Sequence, residues 1–189
     1  MTVDAAFMHF PELTTARLRL RELRPSDAEA LFAIKSDFEV TRHYSSEPHQ
    51  SVNDSLTWIE NRLVNYQKHD SLVWAVTLKD EDRLIGDCLF WHFDFASGCT
   101  EIGYELHPAY VRQGMMTEAA SAVIAFGFEQ LDLHRIEADA SLENAASNRL
   151  LRKLGFTLEG TLRERHFFRG HYHDECYYGL LRDEWGGAS

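Results

Sequence analysis

Two glutamates, Glu101 and Glu105, lie four residues apart in Thr100-Glu101-Ile102-Gly103-Tyr104-Glu105-Leu106, a stretch that reads as a strand, so both carboxylates face the same side. A positioned carboxylate can serve an amine in two ways: it binds the charge of the ammonium, or it takes the proton. The strand runs into a loop without an acidic residue and then into a helix, and the junction carries Arg112, Gln113, Gly114, Met115, Met116 and Thr117. The first amides of a helix have no internal carbonyl partner, and with the positive end of the helix dipole they form a seat for an anion such as a pyrophosphate. Gly114 lets the backbone approach that anion closely. Asn144 and Ser147 stand at the N-cap and N3 positions of a later helix, where capping alone accounts for short polar side chains. The run His171-Tyr172-His173-Asp174-Glu175-Cys176 holds metal-ligand types, but neighbours on a strand point opposite ways while a tetrahedral ion needs converging ligands, so no metal is expected.

These groups need elements to hold them. Leu18 and Leu20 lie on one face among arginines and, with Leu23, mark a half-buried first strand that Pro25-Ser26-Asp27-Ala28-Glu29 stops. Ser26 and Glu29 have the capping-box pattern, and Ala30, Leu31 and Ile34 give the apolar side of a helix that fades near Ser36. Pro48 and Ser51 precede a second helix over about 52–69, with Leu56, Ile59, Leu63 and Tyr66 at helical spacing. Strands over about 72–78, 83–93 and 99–106, separated by Lys79-Asp80-Glu81-Asp82 and Ala96-Ser97-Gly98, predict an antiparallel meander. Then come a helix over about 114–131, a strand over 135–140, a helix over 144–154 ending at Gly155, and a strand pair hinged at Arg169-Gly170. The expected fold class is α/β of the α+β kind: one domain over 1–189, a mixed, mostly antiparallel sheet flanked by helices, with residues 1–12 loosely ordered.

The ordered set formed by the Gly114 junction, Asn144-Ala145-Ala146-Ser147, Leu150, Leu154-Gly155-Phe156 and Glu159-Gly160 resembles the GNAT N-acetyltransferase superfamily. The opening Leu13-Thr14-Thr15-Ala16-Arg17-Leu18-Arg19-Leu20-Arg21 and the late Arg169-Gly170-His171-Tyr172-His173-Asp174 are similar to its RimJ/RimL branch, whose members acetylate protein N-terminal amines. The resemblance covers nearly the whole chain. It implies acetyl-CoA as co-substrate, a splay between the fourth and fifth strands that receives the pantetheine arm, and amides of Arg112, Gln113, Gly114, Met115, Met116 and Thr117 on the pyrophosphate. The family's usual pattern has Gly at both the Arg112 and Gly114 positions; Arg112 fits such a loop with a negative φ, its guanidinium either on phosphate or in solvent. Glu101 matches the base of several branches, with Glu105 and His166 as reserves; a backbone N–H near Leu106 or His107 would donate to the oxyanion. Asn144 would bond the pantetheine arm and Ser147 protonate the departing thiolate, with Tyr110 as another donor.

A length of 189 residues with 44% hydrophobic content suits one core, and no second domain is required. The charge of −11, from 30 acidic against 19 basic residues, argues against nucleic acid or anionic membrane as partners and suits a cationic acceptor. Cys88, Cys99 and Cys176 are too few and too far apart for a disulfide framework. Residues 1–8 lack a basic start and a long apolar run, and no apolar stretch reaches the roughly eighteen residues of a membrane span, so a cytoplasmic protein is expected. Acceptor choice is assigned to 37–51, with Arg42, His43, Tyr44 and Glu47, and to the final hairpin, with His166, Phe167, Phe168 and Tyr172. A protein or peptide N-terminus is the first expectation for the acceptor. The alternatives are a small amine (polyamine, amino acid or aminoglycoside) and a non-catalytic acyl-CoA sensor. The resemblance permits a homodimer.

Overall fold

Alternating apolar residues and short polar turns between Ser71 and Leu106 fold into the expected meander, around which the rest of the chain assembles. The computed structural model describes residues 3–43 and 46–186. In chain order the elements are α1 (Val3–Met8), β1 (Leu13–Thr14), β2 (Leu18–Glu22), a 3-10 turn (Pro25–Asp27), α2 (Ala28–Lys35), α3 (Phe38–Thr41), α4 (Val52–Gln67), β3 (Ser71–Leu78), β4 (Leu84–Asp94) and β5 (Cys99–Leu106). After a second 3-10 turn (Pro108–Tyr110) come α5 (Met115–Glu129), β6 (Arg135–Ser141), α6 (Ala145–Lys153), β7 (Thr157–Phe168), β8 (His171–Leu181) and a closing 3-10 turn (Arg182–Glu184).

One sheet results, ordered β1-β2-β3-β4-β5-β6-β8-β7, antiparallel throughout except between β5 and β6. A parallel pair needs a crossover, and α5 supplies it. The larger apolar core lies between the sheet and α5 and α6, where Trp74, Phe90 and Ile102 meet Ala120, Val123, Ile124 and Leu151. On the other face α2 and α4 cover a smaller cluster of Leu31, Ile34, Ile59, Val73 and Ala75.

The feature that shapes the molecule's chemistry is the short pairing of β5 with β6. Its register runs Cys99↔Arg135, Thr100↔Ile136 and Glu101↔Glu137 and goes no further, although β5 continues to Leu106 and β6 to Ser141. The two strands therefore part beyond Glu101, as the resemblance implies. His107 N–H donates to Ile85 O at 2.8 Å, so alternation along the ladder turns the backbone groups of Tyr104 and Leu106 away from β4 and toward the opening.

Two local expectations change. Of residues 1–12, the first two lie outside the described residues and Val3–Met8 form α1, with Ala6 and Phe7 buried; the Phe7 ring stacks on His69 at 4.5 Å and meets Phe93 edge-on at 5.7 Å, contacts that tie the helix down. The Ser26–Glu29 capping box does not form, because Asp27 holds the helix start: its carboxylate accepts the Arg24 N–H at 2.8 Å and a bidentate bond from Arg21, whose side chain is 1% exposed.

Candidate active site

Where β5 and β6 part, a cleft of about 640 Å³ opens, lined from β5 by Glu101 and Glu105, from β6 by Asp139 and Ser141, and from α6 by Asn144 and Ser147. Its walls are α2 and α4 with the segment after α3 on one side, and the β7–β8 hairpin on the other. Arg169 Nη2 reaches Glu47 Oε2 at 3.4 Å, and its guanidinium covers the Phe38 and Phe168 rings at 4.8 and 4.7 Å, which links the two walls. Of the residues assigned to acceptor choice, Arg42, His43, Glu47, His166 and Phe168 line the cleft. Phe167 and Tyr172 pack on each other at 5.0 Å and stand exposed beyond it, while Tyr44 lies outside the described residues.

Glu101 is at the fork itself. A bulge in β4, with His92 at φ 49°, brings His92 Nδ1 to 3.1 Å from Glu101 Oε2. Burial pushes Glu101 up to about 7, and the neighbouring Asp139 adds to the rise while His92 and Trp91 oppose it. On β8, burial first and then the neighbouring Asp139 push Glu175 up to about 8. His166 Nε2 stands 3.5 Å from Glu175 Oε2. Three strands thus bring three carboxyls together at one end of the cleft. Sequence reading missed Asp139 and set Glu175 aside with the metal question; the available signal was that Asp139 shares a β6 face with Glu137, and in the ladder Asp139 pairs with Tyr177, two pairs from Ser141 and Glu175.

Glu105 faces the same cleft but is not placed to act as a base. Its carboxylate takes Lys35 Nζ at 2.6 Å and stands opposite buried Asp87, its partner in the ladder. Burial, and then the charge of Glu105, hold Asp87 well above the usual carboxylate range. Lys35 Nζ and the Arg62 guanidinium lie over the Trp58 ring at 4.3 and 4.8 Å, and all three residues line the cleft.

Beyond the opening, the loop before α5 takes an unusual backbone path. Arg112 has φ 62° and Gly114 φ 76°, so the negative φ expected for Arg112 is corrected: both positions occupy the left-handed region. Among the described residues, the N–H groups of Arg112, Gln113, Gly114, Met115, Met116 and Thr117 donate to no protein acceptor; the first helical bond is Glu118 N–H to Gly114 O at 3.0 Å. Unpaired amides at a helix mouth with positive φ on either side of Gln113 fit a diphosphate. The loop is braced from the chain's opening segment: the Glu118 carboxylate accepts from Thr15 Oγ1 at 2.6 Å, Arg17 N at 2.8 Å and Arg17 Nε at 2.7 Å, and Arg17 Nη1 donates to Gln113 O at 3.0 Å. The opening Thr15-Ala16-Arg17 thus acts by holding this loop.

At the start of α6, Asn144 Oδ1 accepts Ser147 N–H at 3.0 Å, so its oxygen serves as the cap. Ser147 Oγ is 2.8 Å from Tyr104 Oη, across the gap on β5, an aromatic that sequence reading did not single out. Because Tyr104 is buried, its phenol is held above its ordinary range and stays protonated, so it can donate to Ser147. His107 differs from expectation: its N–H is bonded to Ile85 O and its Nδ1 accepts from Ala109 N at 3.1 Å, which leaves Leu106 as the backbone donor turned toward the gap. Cys88 and Cys176 are buried free thiols.

Residues 17–157 match the family model described as an acetyltransferase (GNAT) domain. The chain is 38% identical over 173 residues to the uncharacterized N-acetyltransferase YoaA of Bacillus subtilis (strain 168), covering 92% of this chain and 98% of that one. It is 27% identical over 134 residues to the ribosomal-protein-serine acetyltransferase of Escherichia coli (strain K12), covering 71% and 74%. The crystal structure of a GNAT-family acetyltransferase from Bacillus anthracis superposes with a TM-score of 0.82 at 28% identity, over 92% of this chain and 100% of that one.

Proposed function

The chain belongs to the GNAT acetyltransferase family, and from that footing we propose that it transfers an acetyl group from acetyl-CoA to a primary amine, the N-terminal amine of a protein or peptide, in the cytoplasm. The observation that carries this reading is the juxtaposition of Glu101 with the gap that opens beyond it between β5 and β6. When bound, acetyl-CoA supplies an acetyl group activated as a thioester. Amides of the loop from Arg112 to Thr117 hold the diphosphate, and the outward backbone groups of Tyr104 and Leu106 pair with the pantetheine arm as a neighbouring strand would.

Glu101 removes a proton from the incoming ammonium, a task suited to a carboxyl raised to about 7, which is largely ionised just above neutrality yet basic enough to accept. Leu106 N–H faces the charge that develops on the carbonyl oxygen. Ser147, bonded to Tyr104, returns a proton to the departing sulfur, and Asn144 holds the arm beside it.

A protein N-terminus as acceptor is supported by the likeness to a ribosomal-protein-serine acetyltransferase and by the open cleft, which leaves room for a chain end between α4 and the β7–β8 hairpin. A small polycationic amine is the second reading, favoured by the meeting of Glu101, Asp139 and Glu175 at one end of the cleft. Thiol release from acetyl-CoA, measured with a panel of free-amine peptides, polyamines, amino acids and aminoglycosides, tests both. Release with peptides alone supports the first reading and release with polyamines alone the second. Coenzyme binding with no release for any amine would make the chain a sensor and overturn both.

A further inference from the structure

We infer that Arg62 of α4 receives a carboxylate of the acceptor, and that the acceptor is a peptide with an acidic residue close behind its N-terminal amine. The inference rests on the acetyl-transfer reading above and narrows its acceptor class. Among the described residues, the lysine and arginine side chains that line the cleft are Lys35, Arg42 and Arg62. Glu105 takes Lys35 Nζ at 2.6 Å, and Glu39 takes Arg42 Nη1 at 2.9 Å. Arg62 is placed differently. No carboxylate of the described residues lies within 4.0 Å of its nitrogens, and its buried Nε–H meets no acceptor. The Trp58 ring, 4.8 Å from the guanidinium carbon, steadies the charge but offers no oxygen to the N–H groups. A guanidinium stays charged, so an anion bonded there restores hydrogen bonds that burial has taken from it.

The charges around Arg62 suit one negative charge. Glu105 is engaged by Lys35, and burial, then the charge of Glu105, raise Asp87 opposite it toward the neutral acid. Lys35 and Arg62 then outweigh Glu105 by one positive charge. A carboxylate matches that balance, and the planar fork of an arginine fits its two oxygens, whereas a polyamine brings a further cation and is repelled. Position along β5 narrows the acceptor again. Arg62 belongs to the Glu105 end of the cleft, because Lys35 Nζ bonds Glu105 and lies 4.3 Å from the same Trp58 ring. Four residues of strand put that end roughly 13 Å from Glu101, so an amine at Glu101 and a carboxylate at Arg62 stand on the order of 10 Å apart. An extended chain covers this in about three residues, which places the acid at the second or third position. The carboxylate of a lone α-amino acid is too close to its own amine to reach both.

Matched peptides test this. Each pair is amidated at its C-terminus and differs only by Glu or Gln at the second or the third position, and thiol release from acetyl-CoA is measured. In at least one pair kcat/KM favours the Glu member by about tenfold or more, chiefly through KM. Arg62→Gln brings that ratio to about one, while Arg62→Lys, which keeps the charge without the fork, retains part of it. Coenzyme affinity by calorimetry, equal in wild type and Arg62→Gln, shows that the fold is intact. A neutral tripeptide with a free C-terminus, set against its amide, tells a chain-end carboxylate from a side-chain one; either preference supports the inference if Arg62→Gln abolishes it. Ratios near one for every pair in the wild-type protein, or a preference that survives Arg62→Gln, overturn it. If no amine releases thiol, the proposed function falls, and the role of Arg62 is still decided by calorimetry of the Glu and Gln peptides on the coenzyme-loaded protein: tighter binding of the Glu member that Arg62→Gln removes supports it, and equal binding overturns it.

Discussion

Glu101 owes its character to company that arrives from three other points in the chain: a β4 bulge, β6 and β8. Glu101→Gln keeps the shape but cannot accept a proton, so kcat/KM should drop by roughly 10²-fold or more, and the rise of activity with pH through about 7 should vanish. An unaltered pH–rate curve in that variant would remove Glu101 as the base. Tyr104→Phe takes away the partner of the Ser147 hydroxyl. We expect kcat to fall about tenfold and stability by about 1 kcal/mol, read from thiol release and urea unfolding. The spacing of Glu101 and the cap spacing of Asn144 and Ser147 were legible because they depend on neighbours in sequence. The engagement of Glu105 was not, since Lys35 comes from a helix that sequence alone does not place over β5. Asp139 and Glu175 acquire meaning only when β6 and β8 lie side by side.

At the scale of elements, the mouth of α5 combines sequence-visible and sequence-hidden parts. Periodicity locates the helix to within a residue or two of Met115–Glu129, and Gly114 marks its entry. The left-handed φ of Arg112 could not be read from an arginine, and the loop's brace by Thr15 and Arg17 spans about a hundred positions of sequence. Gly114→Ala meets no clash, its nearest contact being Arg17 Nη2 at 3.5 Å, so its penalty is conformational, about 1–2 kcal/mol, and coenzyme binding measured by calorimetry weakens with it. Arg112→Gly relieves a similar strain but frees the unfolded chain by about 0.5–1 kcal/mol, so urea unfolding should show a change below about 1 kcal/mol. A large loss there would mean that the Arg112 side chain, not its backbone, is the asset. The same limit on local reading explains the capping box: Asp27 outranks Ser26 because buried Arg21 needs a carboxylate, and that need arises only after β2 is covered.

For the molecule as a whole, pH sets two opposing trends. Glu101 and Glu175 release protons near 7 and 8 in the folded chain but near ~4.5 when unfolded, so the native state holds more protons in between and stability declines as pH rises through that window. The carboxylates of Asp82 and Glu118 run the other way. Asp82 is held low by Arg21 and Arg24; Glu118 is low despite burial because Thr15 and Arg17 bond it, and the stability both provide is lost as pH falls through their range. Melting temperature should therefore peak in mildly acidic buffer and be lower at pH ~8.5 than at ~5.5, a comparison that calorimetry makes directly; a higher melting point at the alkaline end would contradict the raised carboxyls. The antiparallel meander and the one-domain α/β class were legible in the sequence because turn residues separate its apolar runs, whereas the order β6-β8-β7 was not read from it. The depth to which β5 and β6 separate was not, as no residue type encodes where a ladder stops.

That stopping point has a mechanical meaning. Five strands on one side and three on the other are stitched along their backbones by the rungs from Cys99 to Glu101, so tension between the two flanks gathers on a seam three residue pairs long. Anything threaded into the open part of the seam and bonded to both lips becomes a splint, and catalysis and cohesion would then draw on the same few hydrogen bonds.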